Sequence, residues 1–216
     1  MTNLQKRILT SLIVFPLSIF VILKGGYILL TFLLLVFFLA NYELFSVFKK
    51  KSTILFLDLI LIVSLFSIFY LTENTKTTFV ILLWVIVLCV CSDVGGYVFG
   101  KSFKWKKLTK ISPKKTFSGV FGSFIFSILS IFIINNLSIT KSVELNLYEV
   151  KYFFLAIIFS LVAQIGDLII SYFKRLEKIK DTGKILPGHG GIFDRIDGLM
   201  FVLILTIIFH QLNIVP

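Results

Sequence analysis

Apolar residues run along the chain in seven blocks, centred on 8–23, 27–48, 54–71, 78–99, 117–136, 152–173 and 198–214, with short polar stretches between them. Each block is near the roughly 20 residues that a helix needs to cross about 30 Å of hydrocarbon, the first being on the short side. The pattern predicts an all-α polytopic integral membrane protein with about seven transmembrane helices, in one membrane-embedded domain over 1–216. Pro16 is a candidate kink in the first helix. The segment 137–151, with its Asn, Ser, Glu and Lys, reads as an external loop.

Composition sharpens this picture. The chain is 57% hydrophobic and only 15% charged, which disfavours a soluble globular domain. Its net charge of +11 must sit in the loops. If the N-terminus is cytoplasmic, 18 of the 22 lysines and arginines fall in loops on that side and four on the other. The positive-inside rule then predicts a cytoplasmic N-terminus and an external C-terminus. Basic residues so arranged meet anionic lipid headgroups, and a nucleic-acid partner is not expected. Cys89 and Cys91 lie one residue apart inside a single apolar block and give neither a disulfide framework nor a zinc spacing. The first block follows Lys6 and Arg7 without a small-residue cleavage pattern after it, so it reads as an uncleaved helix.

An ionisable side chain within a membrane helix costs a few kcal/mol on insertion scales, about 2.5–3.5 at the centre, so each is a functional candidate. Four acids qualify: Glu43, Asp58, Asp93 and Asp167. In the topology above, Glu43, Asp93 and Asp167 lie one to two turns before the cytoplasmic ends of their helices, and Asp58 about one turn after the start of its own. Asp167, Ser171 and Lys174, at i, i+4 and i+7, form a polar stripe on one helix face, with Gly166 allowing close packing beside it. A purely structural alternative pairs Asp167 with Lys174 across two turns.

That stripe leads into the most polar stretch of the chain, from Ser171 to Asp197. Gly183, Gly188, Gly190 and Gly191 let the backbone approach a ligand and could cradle phosphates through N–H groups. Asp194 and Asp197, at i and i+3, could share a helix face and hold a divalent cation. The same acids would favour the dipole of a helix starting there, and a solvated interhelical loop is the plainer reading. Upstream, Asp93 and Tyr97 share a face at i and i+4, and Lys114, Lys115 and the hydroxyls around Thr116 suit an anionic phosphate at the start of the next helix. Lysines there also simply meet headgroups.

From Ser171 through Lys174-Arg175, Lys180-Asp181, Gly183, Leu186-Pro187 and His189-Gly190-Gly191-Ile192 to Asp194-Arg195-Ile196-Asp197, the stretch resembles the hallmark motif of the phosphatidate cytidylyltransferases, position by position and without a gap. The Asp93-x-x-x-Tyr97 and Ser112-Pro-x-Lys115-Thr116 blocks are similar to the family's as well, although Ser118 departs from the Glu or Gln common there. The resemblance implies that CTP and phosphatidate give CDP-diacylglycerol and pyrophosphate, in the cell membrane of a bacterium, with the active site on the cytoplasmic side. It implies candidate catalytic residues Asp167, Ser171, Lys174, Asp194 and Asp197, and Mg²⁺ on Asp167, Asp194 and Asp197 with room for a second cation. Substrate contacts fall to Asp93, Tyr97, Lys114, Lys115, Thr116, Arg175, Lys180, Asp181, His189, Gly190, Gly191 and Arg195. A homodimer is implied by the family alone.

A phosphate nucleophile is already ionised near neutral pH, so His189 is read as structural or phosphate-binding and not as a base. His210 reads as interfacial. Two other functions fit parts of the pattern. A CTP-dependent kinase of a membrane lipid alcohol would share the nucleotide and metal needs but transfer the γ-phosphate. A cation transporter would use the buried acids as a path, but these acids cluster at one depth and do not span the membrane.

Overall fold

The structure is a computed structural model that describes residues 3–103, 105–109, 111–113, 115–188 and 190–216. Lys114 and His189, and the side chains of Lys6 and Arg7, lie outside the described residues. Each predicted apolar block forms a long helix: α1 (Asn3–Lys24), α2 (Gly26–Val47), α3 (Lys51–Glu73), α4 (Lys76–Phe103), α5 (Phe117–Asn135), α7 (Val150–Leu176) and α8 (Phe193–Gln211). A five-residue helix, α6 (Ser138–Ser142), interrupts the stretch read as an external loop. Among the described residues no strand forms, only isolated bridges, so the chain is all-helical.

Five helices, α2, α3, α4, α5 and α7, are long and apolar enough to cross a membrane, which makes this a multi-pass membrane protein. The first helix contributes a shorter apolar stretch, Leu12–Lys24, and α8 opens on the charged residues Asp194, Arg195 and Asp197. Pro16 sits inside α1, which continues through it. Asp58 lies about two turns into α3, deeper than expected, because that helix starts at Lys51 and takes in residues outside the apolar block.

Hydrogen bonds between loops sort the helix ends into two groups. At one end Thr10 donates to the Pro187 carbonyl (2.8 Å), the Lys49 amide to Glu177 (3.2 Å) and Arg175 to the Ile111 carbonyl (3.4 Å). At the other end the Gly26 amide donates to Glu73 (2.6 Å), and Asn74 meets His210 (3.3 Å). The lysine-rich segments 48–51, 101–115 and 174–195 thus gather at one end.

The core has two parts. One packs the middle of α4 (Val80 to Cys89) against α5, the first half of α7 and α8, with Trp84, Tyr152 and Phe159 fully buried. The other joins α2 and α3 to Ile170, Phe193 and Met200. The α4–α5 contact is a seam of small residues: a Cβ on Gly95 would stand 2.7 Å from Phe126, and one on Gly96 2.8 Å from Ser123. Buried hydroxyls tie the seam to α7, with Ser123 donating to the Ser92 carbonyl (2.8 Å) and the Ser92 and Ser160 hydroxyls 2.7 Å apart. This fixes the stretch of α4 that carries Asp93 and Tyr97 beside the start of α5.

Candidate active site at the basic end

Between α4, α5, α7 and α8 lies a cavity of about 410 Å³, within the usual range of roughly 300–1,000 Å³ for ligand sites. Asp93, Tyr97, Lys115, Thr116, Asp167, Asp194, Arg195 and Asp197 all line it, so the two constellations predicted separately meet in one place. Its other wall is apolar, with Ile86, Val90, Ala163 and Leu199.

The segment before α5 folds back on itself. The Leu108 amide donates to the Lys115 carbonyl (2.8 Å) and the Phe117 amide to the Lys106 carbonyl (3.1 Å). Thr116 then caps α5, accepting from the Gly119 amide at 3.2 Å. This turn aims Lys115 across to α7, where its ammonium meets Asp167 at 2.5 Å and donates to the Gln164 carbonyl at 3.2 Å.

On α7 the predicted stripe holds in part. Ser171 donates to Asp167 at 3.2 Å, as i, i+4 spacing allows. Lys174 turns away from Asp167, donating to Asp194 at 2.8 Å with Asp197 at 3.8 Å. The structural pairing of Asp167 with Lys174 therefore does not form: each has a closer opposite charge on another segment. Lys174 and Asp194 are nearly sealed from solvent, with 8% and 3% of their side chains exposed.

The Gly-rich loop carries its own hydrogen bonds. Asp194, in the first turn of α8, accepts from the Thr182 amide (2.8 Å) and the Gly191 amide (3.0 Å) with the oxygen that Lys174 leaves. The Leu186 and Gly190 amides bond each other's carbonyls across the loop, and the Ile192 and Phe193 amides donate to Glu43 (3.0 and 3.1 Å). The backbone N–H groups of Gly190 and Gly191 thus face protein acceptors, the Leu186 carbonyl and Asp194. Gly190 has φ +90°, a conformation that L side chains rarely adopt.

Other predicted contacts lie off the cavity wall. Arg175 donates to the Ile179 carbonyl at 2.6 Å and closes the end of α7, while Lys180 and Asp181 are exposed in the loop. Two residues were missing from the expected set. Glu43, on α2, is a functional candidate as an intramembrane acid, with no partner named by the sequence. Thr182, between Asp181 and Gly183, carries no signal in the sequence, yet it is fully buried and donates to both Glu43 (3.2 Å) and Asp194.

Among the described residues the site gathers four aspartates, at 93, 167, 194 and 197, against Lys115, Lys174 and Arg195. Carboxylate oxygens suit a hard divalent cation, although no three of the described acids converge on one point. Mg²⁺ commonly takes one or two carboxylates and completes its shell with water and substrate phosphate oxygens. One or two of Asp93, Asp167, Asp194 and Asp197 could serve that mode, although Ser171 and Lys115 engage Asp167 just as Lys174 and two amides engage Asp194.

These features define a polytopic membrane protein with an acid-and-lysine pocket set where its helices meet the basic loops. The chain belongs to the cytidylyltransferase family, whose model matches residues 50–213. A Rickettsia conorii protein named phosphatidate cytidylyltransferase is 34% identical over 212 residues, 94% of this chain and 90% of that protein. Proteins of the same name from Staphylococcus epidermidis and Staphylococcus aureus are 40% and 39% identical over 139 residues, 64% of this chain. The matched region spans about half (51%) of each staphylococcal relative.

Proposed function

We propose that the protein is a phosphatidate cytidylyltransferase that works at the cytoplasmic face of the membrane. The observation that carries this reading is the cavity itself, where carboxylates stand with Lys115 and Arg195 at the helix ends beside an apolar wall. A lipid phosphate can enter with its glycerol and acyl parts against Ile86, Val90 and Leu199 while the nucleotide comes from the loops.

In the proposed reaction an ionised phosphate oxygen of phosphatidate attacks the α-phosphorus of CTP. A new P–O–P bond forms, the bond between the α- and β-phosphates breaks, and pyrophosphate leaves with its electron pair. No base is required, because the nucleophile is already an anion. Lys115 and Arg195, which line the cavity, would neutralise phosphoryl oxygens, and Lys174, ion-paired to Asp194 and near Asp197, would keep both acids in position. Bound Mg²⁺, on Asp167 and Asp197 with Asp93 nearby, would supply further neutralisation of the charge on the transferring group. The family resemblance extends the proposal to a homodimer, which cross-linking in the membrane would read.

The test is turnover of purified protein with phosphatidate, Mg²⁺ and CTP labelled at the α- or γ-phosphate. Label from the α-position is expected in the lipid product, together with released pyrophosphate and much slower turnover of ATP or GTP. A lipid carrying only the γ-label would make the protein a lipid kinase, and equal rates with ATP would end the cytidylyltransferase reading.

The orientation is part of the same proposal and rests on the 18-to-4 split of basic residues. A reporter inserted near Lys106 is expected in the cytoplasm and one fused after Pro216 outside. Both on one side would overturn the seven-span arrangement.

A further inference from the structure

Glu43 lies on α2, outside the cavity wall, and is 1% exposed. One oxygen of its carboxylate accepts from the Ile192 amide at 3.0 Å. The other accepts from the Phe193 amide at 3.1 Å and the Thr182 hydroxyl at 3.2 Å. Two of these donors are at the start of α8, where helix amides have no partner within the helix. A distant helix thus supplies the cap, with a full negative charge at the positive end of the α8 dipole.

The fit leaves no slack. A Cβ on Gly183 would stand 2.7 Å from the Glu43 carboxylate carbon, and one on Gly191 2.8 Å from it, so a side chain at either position would push the acid off its donors. Asp194 grips the same loop from the other side through the Thr182 and Gly191 amides. Thr182 is the shared tooth, giving its hydroxyl to Glu43 and its amide to Asp194. The position of Asp194, and through Lys174 that of Asp197, therefore depends on a carboxylate outside the cavity.

We propose that Glu43 is a positioning residue for the reaction: it fixes the 182–193 loop and the first turn of α8, and thereby the acids and Lys174 that border the cavity. This inference rests on the cytidylyltransferase reading for its kinetic part and on the hydrogen-bond geometry alone for its structural part. In Glu43→Gln the amide NH₂ would face N–H donors and the charge on the α8 dipole would be gone. Glu73→Gln is the control, because Glu73 likewise accepts from a helix-start amide, that of Gly26, but at the opposite end of the protein.

The experiment follows amide hydrogen exchange of the 182–193 segment and steady-state kinetics on full-length protein in lipid nanodiscs. Glu43→Gln is expected to speed exchange of this segment about tenfold or more. It is expected to lower kcat about 10- to 100-fold, with the KM for phosphatidate changed less than about threefold. Glu73→Gln should change neither. Unchanged exchange in Glu43→Gln overturns the proposal, as does wild-type kcat despite faster exchange, or a loss carried wholly by KM. If Glu43→Gln does not yield monodisperse protein, Thr182→Val removes one of the three donors while keeping the charge, and the same exchange and kinetic comparison decides. Should the wild-type protein fail to couple CTP to phosphatidate, the activity reading falls, and exchange still decides whether Glu43 holds the loop.

Discussion

Asp167→Asn is expected to lower kcat about 10²-fold or more, or roughly 2.7 kcal/mol in the barrier. The substitution keeps the side-chain volume and the acceptor for Ser171 but removes the charge that meets Lys115 at 2.5 Å. Asp167 faces the cavity with 35% of its side chain exposed, while Asp194, on the same cavity, is 3% exposed and held by Lys174. Loss of one preorganised electrostatic group in a confined site costs about 10²- to 10³-fold, and Asp167 would act through the cation it is proposed to hold. Asp181→Asn, in the exposed part of the loop, is the comparison for loss of charge alone. The measurement is kcat on folded, monodisperse protein over a range of Mg²⁺ concentrations. Near-normal turnover at low Mg²⁺ would remove Asp167 from the site.

Lys174→Met is expected to damage the fold more than any other single change at the site. The ammonium sits 2.8 Å from Asp194, buried with it, and 3.8 Å from the half-buried Asp197. Removing one partner of a buried pair leaves the other charge uncompensated, at a cost of about 3–5 kcal/mol. For a chain of this size that corresponds to a fall in Tm on the order of 10 °C. Arginine is not expected to restore stability, because its planar fork is larger than the point charge the two carboxylates enclose. Thermal unfolding in detergent measures the effect. An unchanged Tm with lost turnover would give Lys174 a direct contact with substrate in place of this structural one.

The helices were legible because each long apolar block can satisfy its backbone in a membrane only by coiling. The residues around the cavity were legible in kind, since Asp93, Lys115, Asp167 and Asp197 stand out in a chain with so few charges. Their pairing was not. Spacing on α7 puts Lys174 on the same face as Asp167, but a tertiary contact 20 residues away takes its ammonium instead. The glycines suggested an open phosphate cradle, yet the geometry has two of them making room for Glu43. That acid is 139 residues from Thr182 and 150 from Phe193. No local pattern on α2 names those partners.

The span of these contacts also bears on how the protein is made. Glu43 leaves the ribosome and enters the bilayer long before residues 182–193 exist, and Lys174 precedes Asp194 by 20 residues. An acid on a membrane helix costs about 2.5–3.5 kcal/mol at the helix centre until its partners arrive. Glu43, about one turn from the end of α2, therefore enters the membrane without these partners and meets them only once α8 has been made. A chain that stops before residue 192 lacks the two amides at the start of α8 that meet Glu43 in the finished protein.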